Sequence, residues 1–461
     1  AAPKKKGKKW PIVVGVVAVV LIAAGAGFWV WHEQPSFCNA ICHTPMDPYL
    51  PTYEAEPGQP ATDKWGNEVE NASGMMAAIT AAQFSDLEIT LLERQARVGR
   101  KLAATGNGRC NLTNTNVSKE FYHGSFDVSK ILNRFSAEKL INFFSTLGLV
   151  CDTETNGLVY PHSRQASAVL DVLLMEIKRL KIEIICDCKV ELIRKKGEFF
   201  NIKTSNGEYT AKKVVMSCGG KAFPTAGGTG LGLDVIKNLG HKITPLFPAL
   251  CPIQVKSDFM KSLKGIRAKA EVTLYDGKKA IKSEIGEVQF TDNALSGICV
   301  FNLTTLLPKT KNPIISVNLT KDYSYIELLN LLYDRKKLFA NEPLEEFFTG
   351  LFHKKIGTAL IKSITNKALT ESCKKLSDKE LKSLANLIQN WKFECKQCKD
   401  FSKAQVMLGG VNGNEVNGYT FESKVVKNLY ICGEALDVCG DCGGFNLHFA
   451  FASGIITGEN L

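Results

Sequence analysis

Three glycine-rich motifs, widely separated along the chain, constrain its fold more than any other feature. They read "GRKLAATGNGRCNLTN" at residues 99–114, "SCGGKAFPTAGGTGLG" at 217–232 and "ICGEALDVCGDCGGFN" at 431–446. The second and third follow apolar runs that are typical of strands. A strand that leads into glycines lets the backbone approach a ligand closely, because glycine adopts positive φ and has no side chain. Together the motifs predict an α/β fold that binds a dinucleotide.

The segment before the first motif resembles the second half of a βαβ unit. A helix is predicted over residues 73–83, and the strand "LEITLLER" then ends near Glu93. An acidic residue at this position accepts hydrogen bonds from an adenosine ribose, and Gly74 permits close packing of helix and strand. A solvated strand end is the alternative interpretation of Glu93 when it is taken alone.

The first half of this unit is missing from the sequence. Aligning Gly74 with the third glycine of G-x-G-x-x-G places Val69 and Asn71 where the first two glycines belong. Upstream, "TDKWGNEVE" is too polar for a central strand that is buried on both faces. We therefore predict a join between two sequences inside "NEVENASGMMAAITAAQ", and weakened affinity for the cofactor.

Composition is that of a globular protein large enough for two or three domains. Hydrophobic residues make up 45% of the 461 residues and charged residues 22%. The net charge is +11, and five lysines fall within the first nine residues. No basic run is interleaved with aromatic residues, so no nucleic-acid partner is predicted. Most of the fifteen cysteines lie in apolar runs, which predicts reduced thiols rather than a disulfide scaffold. The oligomeric state is not indicated.

Residues 1–35 combine a basic start with an uncharged apolar run at 11–31. That length is enough to cross a bilayer as a helix, and Trp10, Trp29 and Trp31 mark its two interfaces. We predict a transmembrane anchor with the lysines on the cytoplasmic side, which would place the following residues outside the cytoplasm. A cleaved signal peptide and a buried core helix are the alternatives.

Residues 36–71 contain one motif with metal-binding character. Cys38, Cys42 and His43 form C-x-x-x-C-H, one residue longer than the C-x-x-C-H that attaches a c-type haem. Met46 could add a thioether ligand. The alternative is a pair of thiols in a proline-rich loop. Anchor and motif together resemble the start of the membrane-anchored NapC/NrfH-type cytochromes c, which carry several haem motifs where this chain has one.

From about residue 73 to the C-terminus, further motifs accompany the glycines. They include "GLVYPHSRQASAVLDVLL", "GEVQFTDNALSGICVFNL" and "AQVMLGGV". This set resembles a bacterial family of NAD(P)/FAD-dependent oxidoreductases, aminoacetone-oxidase-like, which includes a 3-dehydro-bile-acid Δ4,6-reductase. The resemblance implies a glutathione-reductase-like FAD fold of the two-dinucleotide-binding-domain type. It places the FAD domain at 72–239 and 411–461, a β-barrel-like substrate domain at 240–320 and 395–410, and a helical insertion at 321–394.

The cofactor contacts follow from the resemblance and from the motifs. The resemblance implies FAD contacts at Ser73, Gly74, Glu93, Lys101, Gly106, Asn107, Arg109, Val190, Gly220, Glu434, Asp437, Gly444, Asn446 and Leu447. The motifs add Arg100, Thr105, Gly108, Cys110, Asn111, Cys218, Gly219, Gly433 and Gly443. A helix that begins near Asn446 would direct its positive end at the flavin.

Catalytic groups are less evident. His162 and His448 are candidate proton donors, although a hydrogen-bonded structural histidine is the commoner case. Arg164 and Arg109 are candidates for holding an anionic or carbonyl substrate. Two C-x-x-C runs, "CKQC" and "CGDC", suggest zinc or a flavin-coupled dithiol. The second run lies inside the FAD motif, where packing beside the cofactor explains it, so no metal is predicted.

These observations predict an FAD-dependent oxidoreductase. Hydride would pass through flavin N5 between a nicotinamide or reduced small-molecule substrate and an unsaturated carbonyl-type acceptor or oxygen. No second G-x-G-x-x-G follows a strand, so NAD(P)H binding would be transient or absent. The alternatives are a membrane-anchored flavocytochrome-like protein and a chimeric chain with an impaired flavin domain. The resemblance implies a cytoplasmic flavin domain, in conflict with the anchor, and this favours two joined sequences.

Overall fold

The computed structural model describes residues 72–461, apart from the side chains of Arg100 and Ala226. The predicted anchor at 11–31 and the haem motif at 38–46 lie outside the described residues. Between Ala72 and Leu461, no helix is long and apolar enough to cross a membrane.

The α-helices of the described part differ widely in length. In chain order they are α1 Ala72–Phe84, α2 Arg100–Ala104, α3 Ser129–Arg134, α4 Ala137–Thr146, α5 Ala166–Arg179, α6 Leu231–Asn238, α7 Met260–Leu263, α8 Ile298–Phe301, α9 Tyr325–Leu338, α10 Lys354–Ile364, α11 Asp378–Gln389 and α12 Phe445–Gly458.

The strands are mostly short outside the 267–290 region. In chain order they are β1 Thr90–Leu92, β2 Thr113–Asn114, β3 Tyr122–Gly124, β4 Cys151–Thr153, β5 Leu158–Pro161, β6 Glu183–Ile185, β7 Val190–Lys196, β8 Phe199–Thr204, β9 Gly207–Ala211, β10 Val214–Met216, β11 Phe247–Ala249, β12 Ile253–Lys256, β13 Arg267–Asp276, β14 Lys279–Phe290, β15 Ala294–Ser296, β16 Pro313–Asn318, β17 Trp391–Cys395, β18 Val406–Leu408, β19 Leu429–Ile431 and β20 Val438–Gly440.

The parallel strands form two separate pairs within the described residues. Strand β1 pairs with β6, and β10 pairs with β19, both in parallel register. Helix α1 begins between the two pairs, because a Cβ on Gly74 would lie 2.5 Å from Ser217 Oγ and 3.9 Å from Leu91 Cδ2. In a dinucleotide-binding fold the strand that leads into this helix lies at the centre of the sheet. The residues that precede α1 are outside the described part.

Helices α1 and α12 pack closely through glycines. A Cβ on Gly454 would lie 2.5 Å from the Ser73 carbonyl oxygen, and one on Gly458 would lie 2.5 Å from that of Ala77. Only glycine permits this approach. The contact holds the start of α1 beside the third glycine motif, which leads into α12.

Six antiparallel strands form a closed barrel in the order β12-β15-β14-β13-β16-β17. Alternation in the sequence explains which face is inside: Ala270, Val272 and Leu274 are buried, whereas their neighbours on β13 are more exposed. The barrel is completed by β17, which falls mostly inside the predicted helical segment 321–394 and not in the predicted barrel segments. Strands β11 and β18 pair with each other outside the barrel.

The helical segment carries α9, α10 and α11, and it shares one apolar cluster with the barrel. Two of these helices begin with a capping box, Ser324 with Glu327 and Ser377 with Glu380. Each serine accepts from a backbone N–H while the glutamate accepts from the serine N–H, which satisfies two helix-end donors. Helix α11 packs against β16 and β17.

Candidate functional site

An ion pair and a glycine bring the three glycine motifs together. Lys101 of the first motif bonds to the Glu434 carboxylate of the third. Glu434 also accepts a hydrogen bond from Met407 N at 3.0 Å. A Cβ on Gly220 of the second motif would lie 3.2 Å from this carboxyl group. The structure thus gathers predicted cofactor residues from three distant segments.

The start of α1 contacts the third motif directly. Gly433 has φ +69°, and a Cβ there would lie 2.4 Å from Ser73 Oγ. Its N–H donates to Ser453 Oγ on α12 at 3.0 Å. Glycine is therefore required at this position both by the backbone conformation and by the close contact.

The N-terminus of α12 has no side-chain cap. Gly444, with φ +94°, precedes the helix, and a Cβ there would lie 2.6 Å from Thr113 O. Asn446 accepts from Gly440 N at 2.8 Å and donates to Gly440 O at 2.7 Å, so its side chain fixes the preceding loop. Gly443 accepts from Asn114 through its carbonyl oxygen. The first N–H groups of α12, Leu447 included, suit an anionic or carbonyl edge of a ligand.

The first motif forms a loop with an unusual run of positive φ angles. Gly106, Asn107, Gly108 and Cys110 all adopt them. The loop closes through a hydrogen bond from Cys110 N to Thr105 O at 3.0 Å. Cys110 is fully buried, and burial raises the pKa of its thiol to about 12, so this cysteine is a neutral packing residue.

The remaining polar residues of this motif have local partners. Thr105 Oγ1 donates to Leu102 O at 2.6 Å, and Asn111 Oδ1 accepts from Val159 N at 3.2 Å. Asn107 and Arg109 have exposed side chains. The loop backbone is therefore held by its own hydrogen bonds, and the side chains of Asn107 and Arg109 point towards solvent.

Glu93 lies at the end of β1 and is buried at 5% exposure. One oxygen accepts from Gln95 N at 2.9 Å, and burial raises the pKa of the carboxyl group despite this bond. The backbone of Cys188, two residues before Val190, donates to Glu93 O at 2.8 Å. The structure therefore places Glu93 directly after β1, as the sequence predicts, and its contact with the adenosine ribose stays a prediction.

Cys218 and Gly219 end the strand of the second motif. Cys218 is packed against Gly232, where a Cβ would lie 2.3 Å from its sulfur, and burial raises the pKa of this thiol to about 12. Gly219 has φ +65°, and a Cβ there would have nothing within 4 Å. The conformation favours glycine here, and the space beside it is open.

Asp437 is buried with both oxygens bonded to backbone groups. Oδ1 accepts from Gly409 N and Oδ2 accepts from Ser125 N, each at 3.1 Å. These bonds tie the third motif to two other segments. Asp437 therefore holds the backbone of the surrounding loops in place. Its contact with FAD stays a prediction.

The histidines and the arginine proposed from the sequence occupy two different environments. His448 is fully buried, with Nδ1 2.8 Å from Thr113 Oγ1 and Nε2 3.2 Å from Phe135 O. Burial lowers its pKa to about 4, so it is neutral and suits a structural role. His162 is exposed and pairs with Asp152 at 3.0 Å, and Arg164 pairs with Glu154 at 2.6 Å.

Sequence reasoning missed a charged network at the edge of the third motif. His123 Nε2 lies 2.9 Å from Asp441 Oδ1, and Lys282 Nζ lies 2.9 Å from Asp441 Oδ2 and 2.8 Å from Glu284. The aspartate side chain is 4% exposed. Burial alone would lower the pKa of Lys282, but its bonds to Glu284 and Asp441 raise it.

This network lies where the glycine motif meets the barrel. His123 is on β3, which pairs with β20 and places it opposite Cys439. Lys282 comes from barrel strand β14. His123 also lines a cavity of about 350 Å³ together with Lys119, Tyr122 and Asp127. No local motif links residues 123, 282 and 441, so only the antiparallel pairing of β3 and β20 could have suggested part of it.

In the described part of the chain, no three His, Cys, Asp or Glu side chains group as a metal site. Cys395 ends barrel strand β17 and Cys439 lies on β20, so the two C-x-x-C runs belong to different elements. Burial raises the pKa of Cys442 to about 12, which suits a neutral packing thiol.

The described residues fit FAD at its adenosine and flavin ends. Glu93 offers a buried carboxylate where a ribose is expected, and the uncapped start of α12 offers N–H groups where the flavin is expected. The phosphate turn before Ala72 lies outside the described residues. Fold and site together define a Rossmann-type α/β flavoprotein.

Comparison with known proteins agrees with this class. Residues 71–460 match the model of the HI0933-like protein Rossmann domain, so the chain belongs to that family. It is 32% identical over 395 residues to the 3-dehydro-bile acid Δ4,6-reductase of Clostridium scindens, covering 84% of this chain and 96% of that protein. The chain is an FAD-dependent oxidoreductase.

A second relative has a different name. The ribosomal RNA dihydrouridine synthase of Escherichia coli is 23% identical over 395 residues, covering 85% of this chain and 96% of that protein. The name of this relative refers to an RNA substrate. The sequence analysis predicts no nucleic-acid partner for this chain, and that statement stays a prediction.

The N-terminal part matches an unrelated protein. Its 84 residues are 69% identical to the cytochrome c-type protein Cgr1 of Eggerthella lenta, covering 18% of this chain and 39% of that protein. The two matches overlap over residues 71–84, and the sequence predicts the join at residues 67–83. The chain thus joins a segment that is similar to a cytochrome c-type protein to a flavoprotein domain, which is consistent with the predicted chimera.

Proposed function

We propose that this chain reduces an unsaturated carbonyl-type acceptor, using electrons from a nicotinamide or another reduced substrate. FAD, when bound, supplies the hydride transfer, which amino-acid side chains do not provide. The name of the Clostridium scindens relative, a reductase of a 3-dehydro-bile acid, supports a rigid unsaturated ketone as substrate. Oxygen is the alternative acceptor.

The network of His123, Asp441 and Lys282 carries the proposal. Reduction of an unsaturated ketone places negative charge on the carbonyl oxygen and requires a proton at carbon. Asp441 orients His123, which lines the cavity and would hold that proton. Lys282 has its pKa raised by its carboxylate partners and stays charged, so it favours the negative charge that develops nearby.

The test is anaerobic reoxidation of the reduced, FAD-loaded protein by a 4,6-dien-3-one steroid. We expect the flavin band near ~450 nm to return and the product to gain two hydrogens. His123→Asn and Asp441→Asn should slow this step by roughly 10²–10⁴-fold, the usual contribution of a positioned acid. His353→Asn, at an exposed helix cap in the helical segment, is the matched control.

Three results would count against the proposal. They are no uptake of FAD, equal rates for His123→Asn and the control variant, and reoxidation by oxygen but by no unsaturated ketone. The rate at which dithionite reduces the bound flavin should be the same in all variants, because that reaction does not use the proton donor.

We propose as a second candidate a membrane-anchored flavocytochrome in which a haem in the N-terminal segment exchanges electrons with the flavin domain. The 69% identity to a cytochrome c-type protein supports it. It requires covalent haem at Cys38 and Cys42, attachment of the chain to a membrane, and a flavin domain on the non-cytoplasmic side. A denaturing gel stained for covalent haem tests it, and a chain without stain has no such cofactor.

A further inference from the structure

Two thiols from distant parts of the sequence lie together beside the barrel. Cys251 is fully buried, and Cys398 is half-buried and packs against the same apolar cluster. Backbone hydrogen bonds hold their segments side by side, from Gln405 N to Leu250 O at 3.4 Å and from Lys396 N to Gln254 O at 3.0 Å. The two cysteines lie between these bonds.

One of the two thiols is accessible from a cavity. The cavity holds about 210 Å³, and Cys398 lines it beside Asp400, Lys403 and Pro252. Lys264 and Asp292, which pair at 3.0 Å, lie on the same wall. A small oxidant can therefore reach Cys398, whereas Cys251 is screened from solvent.

The contact between the thiols makes them unequal. The Cys251 thiol donates to the Cys398 sulfur, and the backbone at Asp400 and the charge of Lys403 assist, so the pKa of Cys398 is lowered despite its partial burial and the nearby charge of Asp400. The same contact, together with burial, raises the pKa of Cys251. Cys398 is therefore the thiol of the pair that more readily becomes a thiolate, which is the nucleophilic form, while Cys251 keeps its proton.

We propose that Cys398 and Cys251 form a hydroperoxide-reactive dithiol. The Cys398 thiolate attacks one peroxide oxygen, the O–O bond breaks, and the departing hydroxide or alkoxide takes a proton from water, leaving a sulfenic acid. The Cys251 sulfur then attacks the Cys398 sulfur, the S–O bond breaks, and water leaves with the Cys251 proton. Two thiols lose two electrons to one peroxide, and one disulfide results.

The disulfide would connect both crossings between the FAD domain and the barrel. The chain enters the barrel between β11 and β12, where Cys251 lies, and it leaves between β17 and β18, where Cys398 lies. Oxidation therefore joins two segments that are otherwise held by hydrogen bonds.

The test is peptide mapping of the full chain after reduction, removal of reductant and titration with hydrogen peroxide. We expect one dominant crosslink between the peptides that contain Cys251 and Cys398. Iodoacetamide should alkylate Cys398 faster than Cys395 at neutral pH, because the pKa of Cys398 is lowered and that of Cys395 is raised. In Cys251→Ser, a sulfenic acid on Cys398 should persist and react with dimedone.

Cys395→Ser is the matched control, because burial raises the pKa of this neighbouring thiol to about 12 and it should not affect the crosslink. Mapping also separates this pair from Cys38 and Cys42. Absence of the crosslink in the wild-type chain, or alkylation of Cys398 no faster than that of Cys395, would overturn the proposal whether or not the variants fold.

Discussion

At the scale of single residues, burial decides which titratable groups can take part in proton transfer. His448 is enclosed on α12 with both ring nitrogens bonded, and its pKa is lowered to about 4. His123, by contrast, lines a cavity and is held by Asp441. The two histidines lie close to the same motif, but of these two only His123 lines a cavity, and the proposed function therefore assigns the proton transfer to it.

The buried His448 predicts acid sensitivity of the fold. Its pKa is near 6.5 in the unfolded chain and about 4 in the folded chain, so the unfolded state binds the proton more tightly. Stability is therefore lost as pH falls from about 6.5 towards 4, by roughly 1.4 kcal/mol for each pH unit from this group. We expect the Tm to fall over this range, and His448→Gln to reduce the slope.

Measurement of Tm between pH 7.5 and 4.5 checks this expectation. His353→Asn, at an exposed cap, is the control and should keep the wild-type slope. Some slope will remain in His448→Gln, because burial also lowers the pKa of His241. A slope that is identical in wild type and His448→Gln would contradict the assignment of the effect to this residue.

At the scale of elements, helix α1 links the two halves of the parallel sheet. It contacts β1 through Leu91 and the end of β10 through Ser217, and it packs on α12 through Gly454 and Gly458. Ser73 is held beside Gly433 by the same packing. The helix therefore contacts β1, the end of β10 and α12, and these three contacts hold it between the two strand pairs.

An apolar strand with a glycine turn before α1 should restore cofactor affinity. We predict that replacing residues 64–68 with a five-residue β-branched strand, together with Val69→Gly and Asn71→Gly so that G-x-G-x-x-G runs from 69 to 74, lowers the Kd for FAD by at least about tenfold. The strand would pair with β1 and β10 and bring backbone N–H groups to the pyrophosphate.

The double variant Val69→Gly, Asn71→Gly is the matched control, since it supplies the glycines without the strand. It should improve affinity far less, because the polar "TDKWGNEVE" remains where a buried strand is required. Titration of each protein with FAD, followed by flavin fluorescence, compares them. Equal and tight binding by all three chains would show that the strand is not needed.

The elements also show how far sequence reasoning reaches. The helix at 73–83, Glu93 and the glycine motifs are local patterns, so their positions followed from spacing alone. The pairs His123–Asp441 and Cys251–Cys398 join residues separated by more than a hundred positions and lie in no recognised motif. Closure of the barrel by β17 was missed for the same reason, because its partners β12 and β16 are distant in the sequence.

At the scale of the whole molecule, both proposed chemistries lie where the FAD domain meets the barrel. Lys282 crosses from β14 to Asp441, and Cys442 N donates to Asn302 Oδ1 at 2.8 Å. The thiols Cys251 and Cys398 lie at the two chain crossings between the same domains. Substrate binding and thiol oxidation would therefore both take place at the boundary between the FAD domain and the barrel.

The join between the two parental sequences predicts the proteolytic behaviour of the chain. The chain divides into two units between Glu68 and Val69, within two residues of the start of the family match at residue 71. Limited trypsin treatment should release a resistant fragment of about 43 kDa, in proportion to the 50.6 kDa of the whole chain, because domain boundaries are the preferred sites of cleavage. N-terminal sequencing should place its start at Trp65, because Lys64 is the last tryptic site before α1. A start at Gln95 or beyond would mean that α1 is not anchored, and complete digestion would support a chimera whose flavin domain does not fold.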